Sequence, residues 1–474
     1  MRLNLGLLMA CAACSSAPTT ATTDPVAAIT PGPESVTAGP CLTPFSFEVS
    51  SGALQPAFSP DVHDYELTSF TTLVPVSVVV HGANAGLNGQ VVRAEQPYPL
   101  AADEITSSST ITLALCGSTY TLHLLPSDFP TYTVKSADPT PGEMFLAPFA
   151  WGARAAPSFL AIMNQVGGVL YYRRVGPPSY DFKRHTLTNG DTRYSFISSN
   201  VVTIMDENFR PIAQHPVQAT GSHPAYAVDA HDFVMFEDDH YIVTALVDKL
   251  VTNVPSELPH PSTGARVEAA FVQEVRAGEV VFEWDSTDHP ELYALSTDGN
   301  DFSTIAISAD YAHLNAVVVD PSDQNLLLSF RHLDAILKVR RSDGVILWRL
   351  GGPNDTFGTT PEQKTSHQHF PAFLPDGRLR VFDNGNATKA TRIVTYRLDE
   401  ESHEVDSFDA YPIGSFTVAM GSVQTAGTSS LFLGLGEPNT PGPSVIEVNR
   451  TTGEHTFELV FDSAYVSYRA YKVQ

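Results

Sequence analysis

Four segments of this chain repeat one pattern under diverged sequence: an apolar strand-like run, a turn holding Gly or Asp, and a second strand-like run. They are Ala270 to Trp284, Ile336 to Trp348, Arg392 to Val405 and Ser444 to Phe457. A unit this short cannot bury both faces of its strands alone, so copies must stack on one another. Radial stacking of four-stranded units protects sheet edges, which favours a β-propeller over a sandwich for the region that follows Pro139-Thr-Pro-Gly. The last 340 or so residues have room for six or seven blades of ~40–50 residues each. Only 17% of residues are charged, while Gly 31 and Pro 35 are plentiful, as many short strands joined by tight turns require. The fold class read from this is all-β.

A second strand-rich region precedes the repeats. Phe45-Ser-Phe-Glu-Val, Tyr65-Glu-Leu, Val74 to Val80, Gln90-Val-Val, Ile111 to Leu115 and Tyr120 to Leu124 predict a small β-sandwich over residues 41–128. Within it, Phe58-Ser-Pro-Asp-Val-His-Asp-Tyr-Glu-Leu resembles the opening of cadherin-like modules. The N-terminus reads Met-Arg, an apolar run from Leu3 to Ala13, then Cys14-Ser-Ser. That pattern resembles a bacterial lipoprotein signal, and predicts a signal peptide at 1–14 with acylation of Cys14, or alternatively Cys11. The Ser/Thr/Pro/Ala segment at 15–40 cannot bury a core and reads as a tether. The expected location is the bacterial cell envelope, periplasm or outer membrane, with the membrane engaged through the lipid anchor alone. The remaining cysteines, Cys41 and Cys116, would then lie in an oxidising compartment and are expected to pair, the alternative being two buried thiols.

Charge narrows the partners. Lys+Arg 27 against Asp+Glu 52 gives −25, with no basic run to track a phosphate backbone, so nucleic acid is not expected. Neither a Walker phosphate loop nor the His-Glu-x-x-His zinc helix occurs. What the repeat region holds is a set of histidines beside apolar runs: His231, His313, and His367 with His369. In an extended strand His313 and Asn315 would face one way. Arg331 follows the apolar Leu326-Leu-Leu-Ser-Phe, with Arg340 and Arg341 in the next run; an inward-facing Arg331 would need a carboxylate or an anionic ligand. His367 and His369 at i, i+2 indicate no third metal ligand, and Asp383-Asn-Gly-Asn386 reads first as a turn signal. No metal is expected.

Taken in order, Asp229-Ala-His-Asp-Phe, Val272-Gln-Glu-Val with Phe282-Glu-Trp, Asp310-Tyr-Ala-His-Leu-Asn, Leu328-Ser-Phe-Arg-His, Gly344 to Gly352, Gln368-His-Phe and Phe382-Asp-Asn-Gly resemble the arylsulfotransferase family. The resemblance implies a six-bladed propeller at 135–474 with an accessory β-sandwich. It implies transfer of a sulfuryl group from a phenolic sulfate ester to a phenol, without a nucleotide or other cofactor. Position by position, it makes His369 the nucleophile, with His231, His313 and Arg331 catalytic and Asn315 substrate-binding. A homodimer is compatible with it. Relatives often carry an acidic residue and alanine after Gln-His, whereas this chain has Phe370-Pro371-Ala372, which bears on donor specificity. The competing readings are a non-catalytic envelope propeller that binds a ligand or partner, and a metal-dependent hydrolase or lyase.

Overall fold

In the computed structural model the described residues are 40–474, apart from 42–43, 68–69, 71–75, 101–104, 107–108, 153–155, 439–440 and 463–464. The expected signal segment, with Cys11 and Cys14, and nearly all of the tether lie outside them.

From residue 132 onward, the described strands form six sheets of four or five strands, numbered here in chain order, and one two-stranded sheet of Thr417–Ala419 with Glu437–Pro438. Sheet I holds Glu143–Ala150, Ser158–Met163 and Val169–Val175, and is completed by the C-terminal strand Tyr465–Val473. Sheets II to V are four-stranded meanders beginning with Ser179–Thr186, Phe233–Glu237, Leu314–Val319 and His369–Phe373. Sheet VI begins with Ser422–Ala426 and takes Tyr132–Ser136 as a fifth strand against His455–Phe461. The four repeated segments read in the sequence are the third and fourth strands of sheets III, IV, V and VI. First strands abut: Leu314–Val319 lies against both Phe233–Glu237 and His369–Phe373, and Ser422–Ala426 lies against His369–Phe373 and Tyr465–Val473.

Stacking explains the apolar runs. In Leu326–Phe330 every residue is buried, and the alternation of side chains sends Leu326 and Leu328 toward sheet III, among Val272 and Trp284, while Leu327 turns to sheet V beside Val381 and Val394. Each such leucine stabilises the stack by about 1.5–3 kcal/mol. Arg340 and Arg341 differ from expectation: they follow the strand Ala335–Val339 in its turn, and Arg341 pairs with Glu274 of sheet III at 2.6 Å.

The N-terminal region contributes a three-stranded sheet (Ser46–Val49, Ser77–His81, Pro97–Pro99) and a six-stranded one that includes Asp64–Leu67, Thr110–Leu115 and Ser118–His123. Phe47, Tyr65, Val78, Leu113 and Tyr120 are buried between them. Cys41 and Cys116 form a disulfide, their Cα atoms 4.9 Å apart. This region shares its core with sheet I, where Phe70 N–H donates to the carbonyl of Tyr172 at 3.1 Å and Val169 N–H to that of Ile105 at 2.7 Å.

Candidate active site

The first strands of sheets III, IV and V abut and start at the same end, so residues at or just before their starts converge. His231 precedes Phe233–Glu237, His313 precedes Leu314–Val319, and His369 opens His369–Phe373. Together with Arg331 they line a cavity of about 390 Å³, whose other walls are Trp151, Tyr180, Tyr468, the segment Val418 to Met420 and Glu437. The rings of His231 and His313 are 4.8 Å apart, and Tyr468 lies 5.4 Å from His231 and 6.3 Å from His369.

Each of the three histidines has its Nδ1 tied to an oxygen. His231 Nδ1–H donates to Asp229 at 2.7 Å, and His313 Nδ1–H to Asp310 at 2.5 Å. His369 Nδ1–H donates to Asn384 Oδ1 at 2.7 Å and approaches the carbonyl of His367 at 3.0 Å. Asn384 cannot turn its amide the other way, because its Nδ2 donates to the carbonyl of Met420 at 2.9 Å and to Thr417 Oγ1 at 3.1 Å. A bonded Nδ1–H fixes the tautomer and leaves the Nε2 lone pair available. In His369 that lone pair accepts a long hydrogen bond from Met420 N–H at 3.3 Å, which must open before Nε2 can attack.

The surroundings set the charges apart. Burial pushes His369 well below the ordinary histidine range, with His231, Arg331 and His313 adding to the effect against its bond to Asn384 Oδ1, so its imidazole is neutral. Burial works against protonation of His231 too, but the Asp229 charge and hydrogen bond and the Asp310 charge outweigh it and raise the group. His313 goes the other way, lowered chiefly by burial and also by His231, despite its bond to Asp310.

Arg331 is the first residue of a 3-10 turn after Leu326–Phe330. Its nearest carboxylate is Asp298 at 3.7 Å, its Nη1 donates to His332 Nε2 at 2.5 Å, and its Nε has no partner among the described residues. Burial lowers its pKa. A guanidinium so placed suits an incoming anion.

Asn315 is not brought into the cavity, and the alternation argument fails for a local reason. His313 has φ 54°, in the left-handed region, so the extended strand starts only after it and the two side chains do not share a face. Asn315 is fully buried instead, its Nδ2 donating to the carbonyl of Gln368 at 2.7 Å. It supports the backbone that carries His369. Phe370 and Pro371 also turn away from the cavity: the pairing with Leu379–Asp383 is bulged between His369 and Ala372, where proline is tolerated, and both residues line a separate cavity of about 440 Å³ with Lys183, Asp232 and Arg469. Asn384, read in the sequence as part of a turn signal, is fully buried against His369 Nδ1.

Among the described residues, one group could hold a metal: donor atoms of Asp310, His313 and His332 lie within 4.8 Å of one another. His332 Nδ1–H, however, donates to the carbonyl of Asp310, and Arg331 stands against its Nε2. A cation already occupies that side of the cluster. His367 and His369 are not part of it.

The family model described as Arylsulfotransferase (ASST) matches residues 135–472. The chain belongs to the arylsulfotransferase family. Membership supports aryl sulfotransferase activity, with aryl sulfate and phenol substrates, and it covers all six sheets but not the N-terminal region. No curated protein matches the sequence. Among solved structures, a protein of unknown function from Bacteroides caccae is 12% identical, with 71% of this chain and 100% of that one covered and a TM-score of 0.42. A streptogramin B lyase is 9% identical over 69% and 87% of the two chains, TM-score 0.35. The β-propeller domain of Cps50 (Swd1) from Myceliophteria thermophila is 10% identical over 68% and 86%, TM-score 0.33.

Proposed function

We propose that this member of the family carries a sulfuryl group from a phenolic sulfate ester to a phenol through a covalent sulfohistidine at His369, on a six-bladed propeller whose blades are sheets I to VI. The observation that carries the reading is the common tethering of His231, His313 and His369 through Nδ1, around one cavity that also holds Arg331. Nε2 of His369 attacks sulfur, an N–S bond forms, the S–O bond to the phenol breaks, and His231 gives its proton to the departing phenolate oxygen. Arg331 compensates charge on the sulfuryl oxygens. In the second half the acceptor phenol gives its proton to the imidazole that acted as acid, its oxygen attacks sulfur, and His369 is released neutral. Asn315 acts through the backbone of Gln368 rather than on the substrate.

A nucleotide sulfate donor is not part of the proposal: Arg331 is the one Lys or Arg among the described residues lining a cavity of about 390 Å³, with nothing further to hold nucleotide phosphates. We further propose that the chain is exported and anchored by lipid on Cys14, or on Cys11, with residues 41–128 as a cadherin-like sandwich. An unmodified Met1 in the intact mass of natively expressed protein would contradict the anchor.

The test of the chemistry is incubation with a chromogenic aryl sulfate, first alone and then with a phenol. Donor alone should release one equivalent of phenol in a burst and leave a mass increment of one sulfuryl group on the peptide containing His369. Turnover without that adduct overturns the covalent route, and no phenol release with any aryl sulfate overturns the activity.

A further inference from the structure

One wall of the cavity is chemically unlike the histidine end. Trp151, 44% exposed at the mouth, Phe149, Tyr180 and Tyr468 form a continuous aromatic line, with ring centroids 6.0 Å apart for Trp151 and Phe149, 4.9 Å for Phe149 and Tyr180, and 6.1 Å for Tyr180 and Tyr468. The line ends beside His231 and His369. Glu437 lines the same cavity, held by backbone pairing with Ala419 and taking a hydrogen bond from Trp151. It is the one carboxylate among the described lining residues.

A carboxylate is costly here. The donor is an anion, and Glu437 repels every anion that Arg331 attracts. Its half-burial adds a desolvation cost that the hydrogen bond from Trp151 and the charge of Arg331 offset only in part, so the group stays raised above the ordinary carboxylate range. Aromatic rings beside a carboxylate are, however, a setting that recognises an ammonium group, through the ring quadrupoles and one charge pair. With the sulfuryl group at the histidine end and the aryl ring along the aromatic line, a positive substituent would reach the Glu437 side. The chain's overall charge of −25 draws cations toward the mouth as well.

We propose that Glu437, with Trp151, Tyr180 and Tyr468, forms an ammonium-recognising wall, and that the preferred phenols and phenolic sulfates carry a protonated amine. The proposal rests on the sulfotransferase reading and adds the class of substrate. It makes Glu437 a specificity residue that takes no part in bond making.

The experiment compares three acceptors of similar size with one aryl sulfate donor: 4-(2-aminoethyl)phenol, 4-ethylphenol and 3-(4-hydroxyphenyl)propanoate. Wild-type kcat/KM should fall in that order, by on the order of tenfold per step. In Glu437→Gln the ratio of amine to neutral phenol should collapse to about one to two. A wild type without preference for the amine, or a variant that keeps the preference, overturns the wall. A uniform fall for all three acceptors also overturns it, since Glu437 would then be a counter-charge to Arg331. Binding of 4-(2-aminoethyl)phenol measured by calorimetry, which needs no transfer, separates the two proposals. Glu437-dependent binding without transfer to any acceptor would leave the wall standing and sink the reaction, whereas transfer without discrimination would do the reverse.

Discussion

Arg331 is partly buried among the histidines and Arg469 is buried against Phe370 and Tyr468, and their charges are handled in opposite ways. Arg469 reaches Asp181 at 3.1 Å and Asp232 at 3.0 Å through one nitrogen and the carbonyl of Asn315 at 2.9 Å through another, and Lys183 bridges the same two carboxylates. Burial opposes its charge, but Asp232, Tyr471 and Asp181 hold its pKa above the ordinary value. Arg331 has no carboxylate closer than 3.7 Å, and burial lowers it. A fully compensated charge ties first strands together, here those of sheets I, II and III. An undercompensated one is a cost to the fold that an anionic ligand can offset. The same residue type thus marks structure in one place and chemistry in the other.

The contrast can be broken at its centre first. His369→Ala should abolish transfer, by at least about 10⁴-fold, and remove the sulfurylated peptide, while the protein stays folded. Next come the two arginines. Arg331→Ala should lower kcat/KM by ~10²–10⁴-fold with little loss of stability, as expected of a group that stabilises charge only in the transition state. Arg469→Met should destabilise by ~3–5 kcal/mol, because Asp181 and Asp232 lose their principal partner in a dry site. Denaturant unfolding and steady-state kinetics on both variants check the pair. If Arg331→Ala unfolds the protein while Arg469→Met removes only activity, the comparison is reversed.

Asn384 sharpens the same line, since it is buried like Arg469 but serves the histidine. Asn384→Ala should reduce kcat by on the order of 10–100-fold with KM changed little, through loss of the Nδ1 tether that holds the tautomer of His369. Asn384→Asp should recover part of the rate, as a purely structural role would not require.

The pH dependence follows from the opposed shifts. Donor cleavage needs His231 protonated, and because its pKa is raised, the burst should persist above the ordinary histidine range and then slow by up to about tenfold per pH unit. Stopped-flow release of a chromogenic phenol measures it. Stability should move the other way on the acid side. His367, lowered to about 4, and His185, to about 3, are partly buried and held neutral in the fold, and the buried His369 is neutral too. The unfolded chain takes up their protons first, below about 6.5, so stability should fall as pH drops from there toward 4.

Legibility in the sequence followed the same division between local pattern and assembled surroundings. Leu326 to Phe330 announces a strand buried on both faces, and the histidines and Arg331 could be found because each is anchored at a strand terminus inside a motif. His313 and Asn315 were misjudged as a pair because a left-handed residue leaves no trace in a period-two pattern. Tyr468, Trp151 and Glu437 carry no signal at all: the first two meet the histidines only when the C-terminal strand completes sheet I, which joins residues more than 300 positions apart, and Glu437 only through its pairing with Ala419. Asn384 was hidden by a dipeptide that also spells a turn, and only its bond to His369 separates the two meanings.

The smallest effect is expected at the residue whose sequence departs most visibly from the family pattern. Pro371 stands two positions after His369, close enough that proximity alone would assign it a part in catalysis. Two local features isolate it. The strand is bulged between His369 and Ala372, so the ladder loses nothing by the missing N–H of proline, and Phe370, at φ 49°, swings the chain so that Phe370 and Pro371 face the cavity shared with Arg469 rather than the one shared with Arg331. Pro371→Ala should therefore leave kcat/KM within about twofold, with any cost appearing as a few tenths to 1 kcal/mol of stability through the freer unfolded chain. Assay with two donors of different leaving-group acidity checks it. A rate change above tenfold, or a change in donor preference, would mean that the two cavities are coupled through the strand that begins at His369, and that the separation between Arg331 and Arg469 is not as clean as their partners make it.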